Sequence, residues 1–367
     1  MQTKKHKIFI IAGEASGDVY GGQIARQILS QTDAEIRGWG GKEMASVGVN
    51  ISKYYSELAF MGFLEVIKNL GAIRKNLKKC WKEIEVFNPD AVVCIDFPGF
   101  NMRIAKRSKA AGFNTYQVIC PQIWAWKGSR IKALRRDYNA VFPALPFEDE
   151  ILKKGGVNSQ SLGHPILDTF EELKFEKRPH QIALLPGSRI QELKKMLPLF
   201  VSLGMEFKEL DFVIAGAPGR KISDYSLATE AGFKVEFGKT REILGTSVAA
   251  IVTSGTATLE ASLLGTKQVI AYKTGAFNYA VAKAVVKINR IGLPNLISGR
   301  DIVPELIQGD CTVKNLSLKL NEILDSETQI SEIARLRKML GKIGASNRIA
   351  NYIIRNSLSS LNQDKLP

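Results

Sequence analysis

The chain has 367 residues, 45% of them hydrophobic and 24% charged, with 51 Lys and Arg against 36 Asp and Glu for a formal net charge of +15. This excludes a disordered or fibrous chain, favours two domains of similar size over one core, and leaves no uncharged span of about 18 residues for a membrane helix. The positive balance points to anionic partners, whether nucleic acid, acidic lipid or phosphorylated substrate, and its sign does not choose among them.

Cys80, Cys94, Cys120 and Cys311 are scattered without CxxC spacing and read as reduced core thiols of a cytosolic protein. The histidines are His6, His164 and His180, so no metal site and no cofactor is expected. The start MQTKKHKIFIIAGEASGD runs straight into a Gly-rich turn and lacks a cleavable export signal.

In chain order, KIFIIA predicts a strand, GEASGD a turn and Val19 to Leu29 a helix. Gly13, Gly17, Gly21 and Gly22 do not fit GxGxxG, and no P-loop lysine follows; Ser16 and Asp18 are instead candidates to face a substrate. Between Leu58 and Trp81, Phe63, Val66, Ile67, Leu70, Ile73 and Leu77 recur at helical spacing beside Lys68, Arg74, Lys75, Lys78 and Lys79. Such a helix lies in a membrane interface or, as is commoner for this pattern, packs on a core. AVVCI is a buried strand ending at Asp96, where a carboxylate of a parallel sheet meets ligands; Asp96 is the candidate general base, although a capping aspartate fits the same place. Beyond a strand at Tyr116 to Cys120, Trp124 and Trp126 stand among Lys127, Arg130, Lys132, Arg135 and Arg136. That cluster suits a phosphate and a sugar or acyl surface, or single-stranded nucleic acid without a recognised motif, or plain solvent.

The sequence loses its apolar rhythm around Glu171 to His180, which places a boundary between domains at 1–172 and 173–340. QIALLPGSRIQELKKMLPLF restarts as strand, turn and helix, with Arg189 at the helix entrance, suited to a diphosphate or simply to a surface position. AAIVTSGTATLEASLLGTKQVIAY is a strand, turn, helix, strand unit. Its turn Ser254, Gly255, Thr256, Ala257 and Thr258 offers amides and hydroxyls to an anionic diphosphate, and Glu260 suits a ribose; an ordinary capped helix has the same composition. Asn295, in a Gly-Leu-Pro-Asn turn, carries an amide suited to a nucleotide or sugar hydroxyl, though Pro-Asn is common in plain turns.

Together IAGEASGD, ELAFMGFLEV, IDFPGFN, PQIWAWKGSRI, PFE, LGHPILD, LLPGSRIQE, TSGTATLE and LPNLISGR resemble, in order and spacing, the lipid A disaccharide synthase family of inverting GT-B glycosyltransferases. One departure is Gly99, where family members often carry a second aspartate, and no role is assigned there. The resemblance implies an α/β GT-B fold of two Rossmann-like domains facing a cleft, with residues 341–367 as a C-terminal helix returning to the first. It implies transfer from UDP-2,3-diacylglucosamine to 2,3-diacylglucosamine 1-phosphate, forming a β-1,6 disaccharide and UDP without a metal. Asp96 is then the base, and Ser16, Trp126, Lys127 and Arg130 bind acceptor. Arg189, the Ser254 to Thr258 turn, Glu260 and Asn295 bind the UDP-sugar. Acylated substrates imply peripheral attachment to an anionic membrane through 58–81, on the cytoplasmic face of a Gram-negative-type inner membrane, with no nucleic-acid partner. The oligomeric state stays open, a homodimer included. The rival readings are a related UDP-GlcNAc enzyme, such as an epimerase or muramyl-lipid transferase, and a non-catalytic basic binder.

Overall fold

A computed structural model describes residues 5–58, 70–124, 128–170, 174–275, 279 and 290–358. The chain forms two compact units. The first runs to Thr169 and resumes at Leu340, and the second spans Phe170–Met339.

In the first unit six strands, β1 (Lys7–Ala12), β2 (Glu35–Gly40), β3 (Asn50–Tyr54), β4 (Ala91–Ile95), β5 (Asn114–Val118) and β6 (Ala140–Phe142), form one parallel sheet in the order β3-β2-β1-β4-β5-β6. β1 and β4 are near-continuous runs of Ile, Val, Phe and Ala because helices cover both faces of a parallel sheet. Those helices are α1 (Ala15–Leu29), α2 (Lys42–Ser46), α3 (Leu70–Phe87), α4 (Pro98–Ala110), α5 (Arg130–Asp137) and α6 (Pro146–Lys154). On one face Phe9, Trp39, Cys94, Phe100 and Ile104 pack with Cys80 and Ile84 of α3.

The second unit repeats the arrangement. β7 (Arg178–Leu185), β8 (Asp211–Gly216), β9 (Lys234–Phe237), β10 (Ser247–Thr253), β11 (Lys267–Tyr272) and β12 (Glu305–Ile307) are parallel in the order β12-β11-β10-β7-β8-β9. Numbered from each unit's own first strand, both sheets read 3-2-1-4-5-6, so each reverses direction beside its first strand, the place where open α/β sheets bind ligands. The second unit's helices are α7 (Ile190–Glu206), α8 (Ser226–Glu230), α9 (Thr240–Thr246), α10 (Thr256–Leu263), α11 (Leu293–Ser298), α12 (Val313–Leu324) and α13 (Thr328–Met339).

The last helix, α14 (Ala345–Ile353), belongs to the first unit. Asp168 accepts from the amides of Gly344, Ala345 and Ser346 at 2.6, 3.2 and 2.7 Å and so caps it. Tyr352 packs edge-on against Tyr116 and Phe142, and the Tyr116 hydroxyl meets that of Ser357 at 2.6 Å. Burial holds the nearby His164 neutral, its pKa pushed down to about 4; its Nδ1 accepts from the Ile166 amide at 3.1 Å.

The expected membrane helix needs correction at its C-terminal end. α3 continues to Phe87, and Leu77 and Trp81 pack against the core that buries Cys80, so the Leu77 to Trp81 end of the 58–81 stretch turns to the core. Leu58 is buried as well. Leu70 is 46% exposed and Ile73 half-buried, while Phe63, Val66 and Ile67 lie outside the described residues. Among the described residues no helix is long and apolar enough to cross a membrane.

Candidate functional site

In the first unit the functional side chains come from loops at the carboxyl ends of adjacent strands. Ala12 of β1 lies opposite Ile95 of β4, so the loops leaving both strands adjoin. Asp96 and Phe97 both take left-handed backbone, φ 46° and 49°, a rare conformation for residues with side chains that calls for fixing from outside. The fixing is visible: the Asp96 amide donates to Val118 O at 2.9 Å, and Asn101 Nδ2 donates to Asp96 O at 2.8 Å. The Phe97 ring covers Gly13 so closely that a Cβ there would fall 2.3 Å from it, which is why the first loop needs glycine at that position.

Desolvation raises the Asp96 carboxyl to about pKa 6, against a smaller opposing pull from the Phe97 amide. A carboxylate poised there is ionised at neutral pH and still a competent proton acceptor. Two strands along, Glu148 in the first turn of α6 is 2% exposed. Its Oε1 accepts from Trp124 Nε1 at 2.9 Å and its Oε2 from the Leu145 amide at 3.0 Å, while Trp124 packs edge-on against Phe147. Burial pushes Glu148 up to about 7, partly offset by those donors and assisted by the charge of Asp96.

Other expected acceptor residues fare differently. Ser16 sits half-buried in the first turn of α1, at the carboxyl end of β1. Arg130 opens α5, its pKa lowered by partial burial and by the charge of Arg103 on α4. Trp126 and Lys127 lie outside the described residues. Asp18 does not face a substrate: its buried carboxylate accepts from the amides of Gly41, Glu43 and Met44 at 2.7, 3.0 and 3.1 Å, capping α2.

In the second unit Leu185 of β7 pairs with Val252 of β10, and Thr253 of β10 with Ala271 of β11. This register gathers the loop carrying Arg189, the turn at Ser254 and the end of β11 at Tyr272. Arg189 precedes α7 in extended backbone with its side chain 51% exposed, and its Nη1 meets Glu192 Oε1 at 3.1 Å. Glu192 Oε2 also accepts from the Ser188 and Arg189 amides at 3.0 and 3.2 Å, so one buried carboxylate fixes both loop and guanidinium. Gly187, at φ 102°, is required because a Cβ would fall 2.6 Å from that carboxylate.

α10 begins at Thr256 rather than at the expected Leu259, which places Thr256, Ala257 and Thr258 in its first turn and leaves Ser254 and Gly255 as the approach. Gly255 and Thr256 are exposed, and a Cβ on Gly255 would meet no atom within 4 Å. The Thr258 amide donates to Gly255 O at 3.1 Å, and the amides of Gly255 to Ala257 together with the helix dipole suit an anion. Two hydroxyls of the turn are spent internally. Ser254 Oγ donates to Ile291 O at 2.9 Å, and the fully buried Thr258 donates to Gly255 O at 2.8 Å, so Thr258 shapes the turn and is corrected from ligand to support. Glu260 Oε1 accepts from Arg241 Nε and Nη2 at 3.1 and 3.0 Å, and that guanidinium lies 4.5 Å over the Phe170 ring.

Asn295 is also corrected. It is fully buried: Nδ2 donates to Val303 O and Glu305 Oε1, both at 2.7 Å, and Oδ1 accepts from the Val303 amide at 2.9 Å. Glu305 accepts from the Ile291 and Gly292 amides at 2.8 and 3.0 Å, so Asn295 and Glu305 clamp the 291–303 loop, and the Asn295 amide has no group left for a nucleotide.

Sequence reasoning quoted Glu148 without a role and missed Arg241 and Glu305. A Glu at the third position of a helix opened by proline was the available signal for Glu148; the partners of Arg241 and Glu305 are distant in sequence and left no local sign. Among the described residues no group of His, Cys, Asp or Glu is placed to hold a metal ion.

Two curated proteins and two solved structures bear on this geometry. The lipid-A-disaccharide synthase of Myxococcus xanthus (strain DK1622) is 31% identical over 96% of this chain and 98% of its own length. That of Sulfurihydrogenibium sp. (strain YO3AOP1) is 32% identical over 95% and 97%. The glycotransferase of kitacinnamycin superposes with a TM-score of 0.65 at 14% identity, covering 96% of this chain and 99% of that one. The UDP-GlcNAc 2-epimerase from Neisseria meningitidis, bound to UDP-GlcNAc, gives 0.63 at 11%, covering 95% and 100%. These structural likenesses establish the two-domain α/β fold of GT-B glycosyltransferases and epimerases. The model of the family described as Lipid-A-disaccharide synthetase matches residues 8–356. Carrying that family's match over nearly its whole length, the chain belongs to the lipid-A-disaccharide synthetase family.

Proposed function

We propose that this glycosyltransferase joins UDP-2,3-diacylglucosamine to 2,3-diacylglucosamine 1-phosphate, inverting the anomeric carbon to give a β-1,6 disaccharide phosphate and UDP. Family membership supports the reaction, and Asp96 is the observation that carries the mechanism. Its strained, desolvated carboxylate with a pKa raised to about 6 suits removal of the proton from the acceptor 6-hydroxyl as that oxygen attacks. Charge then develops on the departing diphosphate. Arg189 and the amides at Gly255 to Ala257 are suited to receive it, with Glu260, steadied by Arg241, on the ribose. Ser16, Arg130, Trp126 and Lys127 are assigned to the acceptor.

The protein attaches peripherally to the anionic, cytoplasmic face of the membrane. Leu70, exposed at the start of α3, and the exposed Arg74, Lys75, Lys78 and Lys79 support this, together with the Phe63, Val66, Ile67 and Ile73 pattern. UDP release should require both acylated substrates. Conversion of UDP-GlcNAc to its C2-epimeric UDP-sugar, with no acylated substrate present, would select the epimerase-like rival. Flotation on vesicles containing anionic lipid tests attachment, and a chain that stays unbound at low salt refutes it.

A further inference from the structure

Glu148 has no part in the reaction as described, yet it is a carboxylate 2% exposed, and capping α6 through the Leu145 amide uses only one of its oxygens. Its hydrogen bonds are divided. One oxygen takes the Trp124 indole N–H at 2.9 Å and the other takes the Leu145 amide at 3.0 Å, with the Ala144 amide also contributing. All are donors, which suits an ionised acid and leaves no acceptor to receive a proton from it. The residues held are not neighbours in sequence: Trp124 belongs to the loop leaving β5, and Leu145 begins the turn into α6. Asp96 ends β4, the strand on the other side of β5. Burial, with the charges of Glu148 and Asp96 added to it, pushes up the pKa of the Cys120 thiol on the same loop as Trp124.

We propose that Glu148 is the positioning residue of the acceptor side: one buried carboxylate anchors the tryptophan loop through Trp124, at the same carboxyl edge of the sheet as the base Asp96. This rests on the function proposed above. Anchoring Trp124 fixes the loop that leaves β5, so it governs acceptor affinity. The like-charge interaction falls on Glu148: Asp96, at about 6 against about 7, ionises first, and its charge raises the pKa of Glu148. The groups facing this pair are the Phe97 amide at Asp96 and, at Glu148, the Trp124 indole, the Ala144 and Leu145 amides and the Cys120 thiol.

The test compares wild type, Glu148→Gln and Trp124→Phe. An amide keeps the volume of Glu148 but has one acceptor oxygen, so one buried donor would face its NH₂. Glu148→Gln should raise the acceptor KM about tenfold or more while leaving kcat and the acid limb of kcat/KM in place, since Glu148 is still mostly protonated where Asp96 ionises. Trp124→Phe keeps the packing on Phe147, so it should raise the acceptor KM while leaving kcat and the acid limb in place. UDP affinity, measured by calorimetry, should be unchanged in both. A Glu148→Gln enzyme with wild-type acceptor KM overturns the proposal and leaves the functional reading intact. A wild-type chain that neither turns over nor binds the acylated acceptor overturns both.

Discussion

The two units share one strand order and use the same end of it differently. At the carboxyl edge of its sheet the first unit places carboxyl groups that burial drives toward neutrality, Asp96 at about 6 and Glu148 at about 7. The second places backbone amides and a half-exposed guanidinium there, with its acids spent on holding them: Glu192 on Arg189, Glu305 on the 291–303 loop, Glu260 on Arg241. Its strongly shifted group, Lys177, lowered to about 8 by burial, bonds to Ser247 O and Thr266 Oγ1 at the opposite edge of the sheet. On the proposed function, one scaffold carries proton chemistry in one copy and anion recognition in the other, and loops rather than strands decide which.

The sharpest way to break this contrast is Asp96→Asn. It should cut kcat by about 10²-fold or more while leaving UDP affinity near wild type, and wild-type turnover would remove Asp96 from the mechanism. The same variant should unfold at a higher temperature at pH 7.5. The folded carboxyl binds its proton more tightly than the unfolded one, so this group costs stability as pH rises from about 4 to about 6, and that cost is complete above 6. Wild-type activity should accordingly fall as pH drops through about 6.

A second expected effect also belongs to the first unit. His164 is neutral when folded, its pKa near 4 against an ordinary 6.5, so its contribution is fully present above 6.5 and is lost as pH falls toward 4. The loss amounts to about 3 kcal/mol. His164→Asn keeps an acceptor for the Ile166 amide, and urea midpoints at pH 7.5 and 4.5 should lie closer together in the variant than in wild type. An unchanged gap would show that His164 does not carry the acid sensitivity.

Asn295 tests the second unit's side of the contrast. Asn295→Ala removes three buried hydrogen bonds and should lower stability by about 2–3 kcal/mol in thermal or urea unfolding. Were its amide a nucleotide ligand, UDP affinity would collapse with little change in stability instead.

Much of this was legible in the sequence. The apolar runs KIFIIA, AVVCI and AAIVT are strands where expected, and the glycine and proline turns mark the loops at their carboxyl ends. What was not legible is which polar residues are satisfied internally. Asp18 and Asn295 stand in stretches with the turn composition of ligand sites, yet they lie in α1 and α11 and both are consumed by backbone groups more than five residues away in sequence, a pairing set by the fold and not by local pattern. Amphipathic spacing likewise did not say where along Leu58 to Trp81 the apolar stripe turns to the core, because core packing and lipid contact demand the same periodicity.

The smallest expected effect concerns Arg189, and it refines the contrast most finely. Its guanidinium is half-exposed and already paired at 3.1 Å with Glu192, so an arriving diphosphate competes with a carboxylate that also holds the Ser188 and Arg189 amides. Arg189→Ala should therefore weaken UDP about tenfold, roughly 1.4 kcal/mol, less than a fixed, unpaired cation would give. Glu192→Gln separates the two duties of that acid. If Glu192 mainly restrains the guanidinium, its loss should tighten UDP; if it mainly holds the loop, UDP should weaken as much as in Arg189→Ala, because the amides would lose their register. Calorimetry on both variants decides between them, and wild-type affinity in Arg189→Ala would take the guanidinium out of the diphosphate site altogether.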